Sequence, residues 1–310
     1  MKVVVTGGAG FIGSHLVDAY VNLDHEVFVI DNLSTGFEAN INSKAKFHNI
    51  DLTNTSEIEK FFSENKIDFL NHHSAQLNVR VSVSNPKFDA EQNIIGTINL
   101  LQAALKNDCK KVLFASSAGT VYGDQLEYPC DESHPNNPIS PYGISKLTIE
   151  KFMYYYHKIF NIDCIGLRYT NVYGVRQNPL GESGVIAIFC EQMKTGINPI
   201  IYGNGLQTRD YVNVKDVVKA NLIATNRLLN IDNIFDLFNV SSNSEVNVNN
   251  LFKILNSFHE NKYSLNYKQA KEGEQFRSCA SYHKIKSDLG WEPKVSLIAG
   301  LEECVKNISK

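Results

Sequence analysis

The chain has 310 residues, of which 43% are hydrophobic and 20% charged, and these are ordinary values for one large or two smaller globular domains. Its net charge of -3 argues against a nucleic-acid-binding protein, which needs a basic excess, and no apolar run approaches the length of a membrane span. Six scattered cysteines without a C-x-x-C spacing, and nine histidines that form no cluster with them, predict reduced thiols in a cytoplasmic protein without a metal site.

The first half of the chain alternates short apolar segments, typical of buried strands, with amphipathic segments, typical of helices. The predicted elements, in chain order, are strand 2–6, helix 11–23, strand 26–31, strand 46–51, helix 55–65, strand 68–74, helix 85–107, strand 110–117, a helix from about Pro141, and strand 163–169. Because repeated strand–helix–strand units produce a parallel sheet with both faces covered, we predict an α/β fold with a Rossmann-type doubly wound parallel sheet.

After Asn171 this alternation becomes less regular. The predicted elements there are helix 184–196, strand 198–203, helix 213–229, strand 234–240 and helix 247–260. We therefore predict a main domain over 1–170, to which elements from about 213–240 return, and a smaller C-terminal lobe made mainly of 171–310.

The segment VVVTGGAGFIGSHLV places Gly7, Gly8, Gly10 and Gly13 between the first strand and the first helix. Glycines permit the tight turn and let the backbone approach a pyrophosphate. The helix N-terminus beyond them supplies unpaired N–H groups and a partial positive charge. This context predicts a dinucleotide-binding loop, and a glycine-rich turn without a ligand is the alternative.

Asp31 ends the second strand, 18 residues after Gly13, which is close to the spacing of the acid that holds an adenosine ribose. A carboxylate there accepts hydrogen bonds from the ribose hydroxyls and repels the 2′-phosphate of NADP, so the predicted cofactor is NAD. Asp51 and Leu52 follow the third strand, and we expect them near the adenine, Asp51 as an acceptor for its amino group and Leu52 against its face.

Tyr142 and Lys146 lie four residues apart, so they share one face of the predicted helix. A phenol with a pKa near 10 is a weak base, but an adjacent ammonium and a positive nicotinamide ring stabilise its phenolate. Lowering that pKa to about 7 corresponds to about 4 kcal/mol. Ser116 and Ser117 end the fifth strand, at the carboxyl edge where such sheets bind ligands. We interpret these residues as a catalytic Ser/Tyr/Lys set.

Several segments resemble the extended short-chain dehydrogenase/reductase family. They are TGGAGFIGS, DNLSTG, the Ser-Ser before VYGD, PYGISK and LRYTNVYG. Within that family the chain is similar to nucleotide-sugar epimerases of the UDP-glucose 4-epimerase type, and GESGVIAIF, YGNGLQTRDYVNVKDV and the late LGWEPKVSLIAGL extend the similarity over nearly the whole chain.

The resemblance implies that Tyr142 is the base and that Lys146 assists it and holds the nicotinamide ribose. The serine partner falls on Ser117, although other members place the hydroxyl one position later, at Ala118, so the choice between Ser116 and Ser117 stays open. The implied cofactor positions are Gly7, Gly10, Phe11, Ile12, Gly13, Asp31, Asn32, Asp51, Leu52, Ala75, Gln76, Asn93, Ser116 and Lys146. Gln76 is also expected near the sugar.

The resemblance also implies a nucleotide-sugar site in the C-terminal lobe. Asn171 and Arg209 match diphosphate-binding positions, and Val185, Ile186 and Phe189 match positions around uracil.

A second family arginine is replaced by Lys271, with Glu274 following, so diphosphate binding is expected to be weaker or to shift to Arg277. Ser278 matches a position that gates the N-acetyl group, and its small side chain suggests that UDP-N-acetylglucosamine fits as well as UDP-glucose.

The implied reaction is epimerisation at C4 of a UDP-hexose through a 4-keto intermediate. Sugar-nucleotide 4,6-dehydratases and UDP-glucuronate decarboxylases are the first alternative, but they place acidic residues just before VYG, and SSAGTVYG has none. A non-catalytic dinucleotide-sensing protein is the second alternative; such proteins commonly lose the Tyr or Lys that this chain keeps.

The resemblance further implies a homodimer formed by the helices near 86–107 and 142–160. The segment FMYYYHKIF is apolar enough for such an interface, and burial against the chain's own sheet is the alternative.

Overall fold

The computed structural model describes residues 1–179, 184–270 and 275–308. In chain order the strands are β1 Lys2–Thr6, β2 Glu26–Asp31, β3 Lys46–Asn49, β4 Phe69–His72, β5 Lys111–Ser117, β6 Asp163–Tyr169, β7 Asn171–Tyr173, β8 Ile200–Tyr202, β9 Thr208–Asn213, β10 Phe235–Val240, β11 Glu245–Asn247 and β12 Asn266–Lys268. The α-helices are α1 Phe11–Asn22, α2 Thr55–Glu64, α3 Val79–Ser84, α4 Pro86–Ala90, α5 Gly96–Lys106, α6 Ala118–Val121, α7 Pro141–Phe160, α8 Val185–Lys194, α9 Val214–Asn230, α10 Val248–Ser257, α11 His283–Leu289 and α12 Leu297–Ile308.

The main sheet has seven parallel strands in the order β10-β6-β5-β4-β1-β2-β3. Chain order reverses between β1 and β4, so the loops after these two strands diverge and leave a crevice at the carboxyl edge of the sheet. This arrangement confirms the predicted Rossmann-type doubly wound sheet.

Helices cover both faces of this sheet, as the alternation of side chains along β1 requires. Val3 and Val5 belong to an apolar core shared with α1, α9 and α11. Val4 belongs to a second core shared with α2, α5 and α7. Each face therefore buries its own apolar layer, and polar side chains are left to gather where the strands end.

The C-terminal part of the chain forms a smaller lobe beside that edge. Strands β7, β9 and β11 make one small sheet, and β8 and β12 make another. Helices α8, α10 and α12 pack together over a core that includes Phe189, Leu251 and Leu301. Strand β10 and helix α9 lie with the main sheet instead, because β10 pairs with β6 and α9 packs on α1.

Helix α7 begins where its sequence favours a helix start. The Ser140 side chain accepts a hydrogen bond from the Gly143 N–H at 3.2 Å, and Pro141 occupies the first turn, where its missing N–H costs nothing. At the other end Asn161 adopts a left-handed conformation with φ of 53°. These two ends fix the turns on which Tyr142 and Lys146 lie.

Helices α3, α6, α11 and α12 were not predicted, and two further departures have a plain physical reason. The helix predicted over 85–107 contains a π-helical turn, Glu91–Ile95, between α4 and α5, and one extra residue in a turn leaves no mark in a 3.6-residue pattern. The short strands β7, β9, β11 and β12 lack the apolar runs by which the longer strands are predicted. Among the described residues, no helix has both the length and the apolar character of a membrane span.

Candidate active site

The glycine-rich loop joins β1 to α1 at the crevice, and two of its glycines have no room for a side chain. Gly7 has φ of +70°, and a Cβ there would lie 2.8 Å from the Ser74 N atom. A Cβ on Gly13 would lie 2.0 Å from the Gly7 carbonyl oxygen. At Gly10 a Cβ would meet only that same oxygen, at 3.2 Å, so the space in front of the loop is open. The loop is therefore a backbone-lined cradle at a helix N-terminus, which suits a pyrophosphate.

Asp31 closes the side of this cradle at the end of β2. Its carboxylate accepts hydrogen bonds from the Ala9 N–H at 3.0 Å and the Leu33 N–H at 2.8 Å, while burial raises its pKa. Asn32 donates to Asp51 at 2.9 Å, which places the two predicted acidic residues beside one another. Since a carboxylate has further acceptor capacity, this side of the cradle fits a dihydroxy ribose.

Leu52 is buried beside α5 and forms the wall beyond Asp51. The Asn99 side chain donates to the Leu52 carbonyl oxygen at 3.0 Å, and a Cβ on Gly96 would lie 3.0 Å from the Leu52 Cβ. Phe11 and Ile12 are partly buried in the first turn of α1. The loop, Asp31 and this wall together fit NAD.

The histidine pair at the end of β4 is a buried, hydrogen-bonded structural feature. His72 lies between the hydroxyls of Thr6 and Thr97, at 2.7 and 2.9 Å, and burial lowers its pKa to about 3. His73 interacts with the Tyr169 hydroxyl at 2.9 Å, and burial also lowers its pKa. Both rings are therefore neutral, and within the described ranges no group of three or more His, Cys, Asp or Glu side chains is placed to hold a metal ion.

Beyond this pair the chain passes through Ala75 to Gln76, which pairs with the π-helical turn. The Gln76 N–H donates to the Asn93 side chain at 2.8 Å, and Asn93 donates back to the Gln76 carbonyl at 2.9 Å. The Gln76 side-chain amide donates to Asp89 at 2.8 Å. Asn93 is almost fully buried, so it acts on the site by holding this loop, and the roles of Ala75, Gln76 and Asn93 at the cofactor stay predictions.

Tyr142 and Lys146 lie on one face of α7, as their spacing predicts. The Lys146 Nζ atom lies 5.7 Å from the centre of the Tyr142 ring. The lysine is only 4% exposed, and its ammonium donates to the Ala115 carbonyl oxygen at 2.9 Å. Burial lowers its pKa to about 8, against the opposing influence of Asp89 and Glu150. The arrangement brings a buried positive charge close to the phenol ring.

The two serines at the end of β5 have different surroundings. The buried Ser116 hydroxyl donates to Glu150 at 2.6 Å and is therefore engaged inside the protein. Ser117 is partly exposed and is the last residue of the strand. These surroundings are compatible with the predicted role of Ser117, which stays a prediction.

The predicted nucleotide-sugar residues lie in the smaller lobe. Asn171 opens β7, which pairs with β9, and Arg209 lies in β9 and donates to the Thr208 carbonyl at 2.8 Å. Val185 begins α8, and Phe189 packs edge-on against Phe252 inside the lobe core.

Phe189 is therefore almost wholly buried among its own neighbours, with Ile186 beside it on α8. The predicted uracil contact of Phe189 stays untested. Lys271 and Glu274 lie outside the described residues.

Ser278 and Arg277 follow that undescribed stretch. Ser278 is buried, and its carbonyl accepts a hydrogen bond from the Asp210 N–H at 3.1 Å. Arg277 forms a two-pronged ion pair with Glu245 and stacks on Tyr128, with its guanidinium carbon 3.9 Å from the ring centre. The role expected of Arg277 at the diphosphate stays a prediction.

Sequence reasoning missed a set of buried charges on and beside α7. Glu150 and Arg168 are each 2% exposed and form a bidentate ion pair, with Arg168 Nε to Glu150 Oε1 at 2.8 Å and Arg168 Nη2 to Oε2 at 2.6 Å. Asp89 is fully buried nearby. A signal was available, because Glu150 repeats the four-residue spacing of Tyr142 and Lys146, and Arg168 interrupts an otherwise apolar strand.

The chain matches the NAD dependent epimerase/dehydratase family over residues 3–240. It is 35% identical over 311 residues to the UDP-glucose 4-epimerase of Mycolicibacterium smegmatis, a match covering 99% of this chain and 98% of the relative.

Two solved structures superpose on nearly the whole molecule. The UDP-glucose 4-epimerase of Thermotoga maritima with UDP-glucose has a TM-score of 0.95 at 41% identity, covering 99% of this chain and 98% of the other. The UDP-N-acetylglucosamine 4-epimerase of Methanobrevibacter ruminantium in complex with UDP-N-acetylmuramic acid has a TM-score of 0.91 at 32% identity, covering 99% and 97%. The chain therefore belongs to the NAD dependent epimerase/dehydratase family, and within it to the extended short-chain dehydrogenase/reductases of the UDP-glucose 4-epimerase type.

Proposed function

We propose that this protein is an NAD-dependent isomerase that inverts C4 of a UDP-hexose and interconverts UDP-glucose and UDP-galactose. The observation that carries the proposal is the Tyr142–Lys146 pair on α7, whose ammonium lies at the Ala115 carbonyl of β5. The same chain has a cradle fit for NAD, and its full-length relatives are named for this reaction. No described feature favours the dehydratase or decarboxylase alternative, and the segment between Ser117 and Tyr122 contains no acid.

The residues that would hold NAD are divided along the crevice. Gly7, Gly10 and Gly13 would face its pyrophosphate, Asp31 its adenosine ribose, and Lys146 its nicotinamide ribose. Bound NAD supplies reversible hydride transfer at C4 of the sugar. The protein contributes orientation and electrostatics to that exchange.

Tyr142 would move the proton of the C4 hydroxyl. The buried ammonium of Lys146 favours the phenolate form of Tyr142, so that the phenolate can accept this proton near neutral pH. Ser117 would hydrogen-bond the same oxygen while the 4-keto sugar exists. Return of the proton from Tyr142 completes the reaction once the opposite face of the sugar is presented.

The smaller lobe would anchor the nucleotide while the sugar turns. Asn171 and Arg209 would bind the diphosphate, and Val185 and Phe189 the uracil, with Lys271 and Glu274 completing the diphosphate side. Fixing the nucleotide supplies proximity without fixing the sugar, and that suits a reaction that must present both faces of one carbon.

N-acetylated sugars are a further part of the proposal. Ser278 is small, and the M. ruminantium relative carries the name of a UDP-N-acetylglucosamine 4-epimerase. We infer that the chain also interconverts UDP-N-acetylglucosamine and UDP-N-acetylgalactosamine.

We also propose a homodimer in the cytoplasm. Apolar side chains remain exposed on α7 and on the neighbouring helices that contact it; they include Val83, Phe88, Ile95, Ile144, Tyr154, Tyr155 and Ile159. A two-fold contact through these helices would cover them. All six cysteines are free and buried, which suits a reducing compartment.

The experiment is a coupled assay with the four UDP-sugars on purified protein, together with measurement of dinucleotide released on denaturation. We expect stoichiometric NAD, interconversion without net NADH, and a loss of kcat of about 100-fold or more in Tyr142→Phe. An alkali-sensitive 4-keto product without epimerisation would instead indicate the dehydratase. Absence of bound and bindable NAD would refute the proposal.

A further inference from the structure

Asp89 is a fully buried carboxylate next to the catalytic helix, and it has three hydrogen-bond donors. It accepts from the Ser145 hydroxyl at 2.6 Å, from the Gln76 amide at 2.8 Å and from the Asn93 amide at 3.0 Å. No solvent reaches this group, so its charge must be balanced within the protein.

These three donors connect the residues on both sides of the active site. Ser145 directly precedes Lys146 on α7, so Asp89 ties the turn between Tyr142 and Lys146 to α4. Gln76 lies in the loop after β4. Asn93 lies in the π-helical turn, and that turn directs its side chain toward both Gln76 and Asp89. Asp89 is the acceptor that these three separate segments share.

The buried charges around Lys146 leave Asp89 as its counter-charge. On α7 itself Glu150 lies one turn further along, but a bidentate contact already pairs it with Arg168 from β6. From β4, His72 and His73 are held neutral by burial.

The group that β5 presents to Lys146 is the Ala115 carbonyl, which is uncharged. On α7, the Lys146 ammonium lies over the Tyr142 ring. Of the carboxylates that favour the charged form of Lys146, Asp89 is the first and Glu150 the second.

We propose that Asp89 is a positioning residue for the catalytic pair. Its carboxylate keeps the Lys146 ammonium charged within a buried site and, through Ser145, holds the turn of α7 that carries Tyr142 and Lys146. The predicted loss of kcat rests on the proposed function, but the electrostatic link between Asp89 and Lys146 does not depend on that function.

The test is Asp89→Asn, which removes the charge and keeps the shape. In protein labelled at lysine Cε, with the Lys146 signal assigned by its loss in Lys146→Arg, we expect the NMR titration midpoint of Lys146, near pH 8 in the parent, to fall by about 1 pH unit. Since only the charged amine assists Tyr142, kcat should fall about five-fold at pH 8 and hardly at pH 6.

Two further variants distinguish the effect of the Asp89 charge on Lys146 from the support that Asp89 gives to α7. Ser145→Ala keeps the carboxylate but removes its contact with α7, so kcat should fall equally at all pH values and the Lys146 midpoint should stay. Asp216→Asn is the matched control, because Asp216 is another buried carboxylate, on α9, and accepts the Lys294 and Val295 N–H groups. It should lower Tm without altering the pH dependence of kcat.

An unchanged Lys146 midpoint in Asp89→Asn, or an equal loss of kcat at pH 6 and pH 8, would overturn the electrostatic role. An undiminished kcat in Ser145→Ala would overturn the supporting role. If Asp89→Asn does not fold, Asp89→Ser removes the same charge and leaves a hydroxyl for Gln76 and Asn93. If the parent protein does not epimerise UDP-sugars but the Lys146 midpoint still falls in Asp89→Asn, the proposed function is refuted and the electrostatic role of Asp89 is not.

Discussion

The ion pair between Glu150 and Arg168 supports the sheet edge from which the active site is built, and Glu150→Gln tests how strongly. The substitution keeps the size of the side chain but leaves the Arg168 guanidinium, 2% exposed, without a counter-charge. In the variant, Arg168 would still donate to the Tyr122 hydroxyl, at 2.9 Å, and that hydroxyl would still donate to the Asn239 side chain, at 2.7 Å. The Ser116 hydroxyl would still have an acceptor at position 150, but this acceptor would be a neutral amide oxygen, which is weaker than a carboxylate.

The expected cost follows from burial. Removing one partner of a buried ion pair costs about 3 to 5 kcal/mol, because the remaining charge is desolvated without compensation. An unfolding entropy of about 2.1 cal/mol/K per residue amounts to about 0.65 kcal/mol/K for this chain. Glu150→Gln should therefore lower Tm by about 5 to 8 °C.

Differential scanning calorimetry of the parent and three variants measures this effect. Removing both charges in Glu150→Leu/Arg168→Met should restore the free energy of unfolding to within about 1 kcal/mol of the parent, because the desolvated charge is gone. Glu59→Gln is the matched control: Glu59 pairs with Lys106 at the surface, where an ion pair contributes at most about 1 kcal/mol. A Tm change in Glu150→Gln no larger than that in Glu59→Gln would refute the reasoning.

Three further predictions concern the site. Asp31→Ala removes charged acceptors and should lower the affinity for NAD about ten-fold or more, measured by dinucleotide retained through gel filtration. Ser117→Ala should lower kcat at least ten-fold with an unchanged Tm, whereas Ser116→Ala should lower Tm because Glu150 loses a donor. A large loss of kcat in Ser116→Ala, with little loss in Ser117→Ala, would make Ser116 the working hydroxyl. Ser278→Tyr should keep turnover of UDP-glucose and abolish that of UDP-N-acetylglucosamine, and equal turnover of both by the variant would refute the gate.

The sequence predicted the cofactor half of the molecule well because its signals are local. Alternating apolar and amphipathic segments predict a doubly wound sheet, and the order of strands follows from the way such units connect. Gly13 is required by a close backbone contact within its own loop, and Asp31 is identified by its place at the end of β2. Each of these signals can be recognised within a short stretch of sequence.

The remaining features depend on contacts between distant segments. Asp89 reads as one more polar residue on a surface helix, and only the π-helical turn and the packing of α4 on α7 bury it. The strands of the smaller lobe are three residues long in most cases, too short for a periodic pattern. The role expected of Arg277 at the diphosphate stays a prediction, but its ion pair with Glu245 depends on the β9–β11 pair, which no sequence pattern predicted.

The two halves of the site meet different physical demands. A base that accepts one proton and later returns it must keep the same position throughout. Buried groups on and beside α7 suit this demand: Asp89 accepts from Ser145, Glu150 accepts from Ser116, and Arg168 donates to Tyr122. A sugar that must present both faces cannot be held in the same way. The anchors assigned to the nucleotide lie in a lobe with its own core, so rigidity at the proton-transfer site does not require rigidity around the sugar. This separation explains why substitutions of the buried groups on and beside α7 should change pH dependence and stability, whereas substitutions such as Ser278→Tyr should change only the range of sugars.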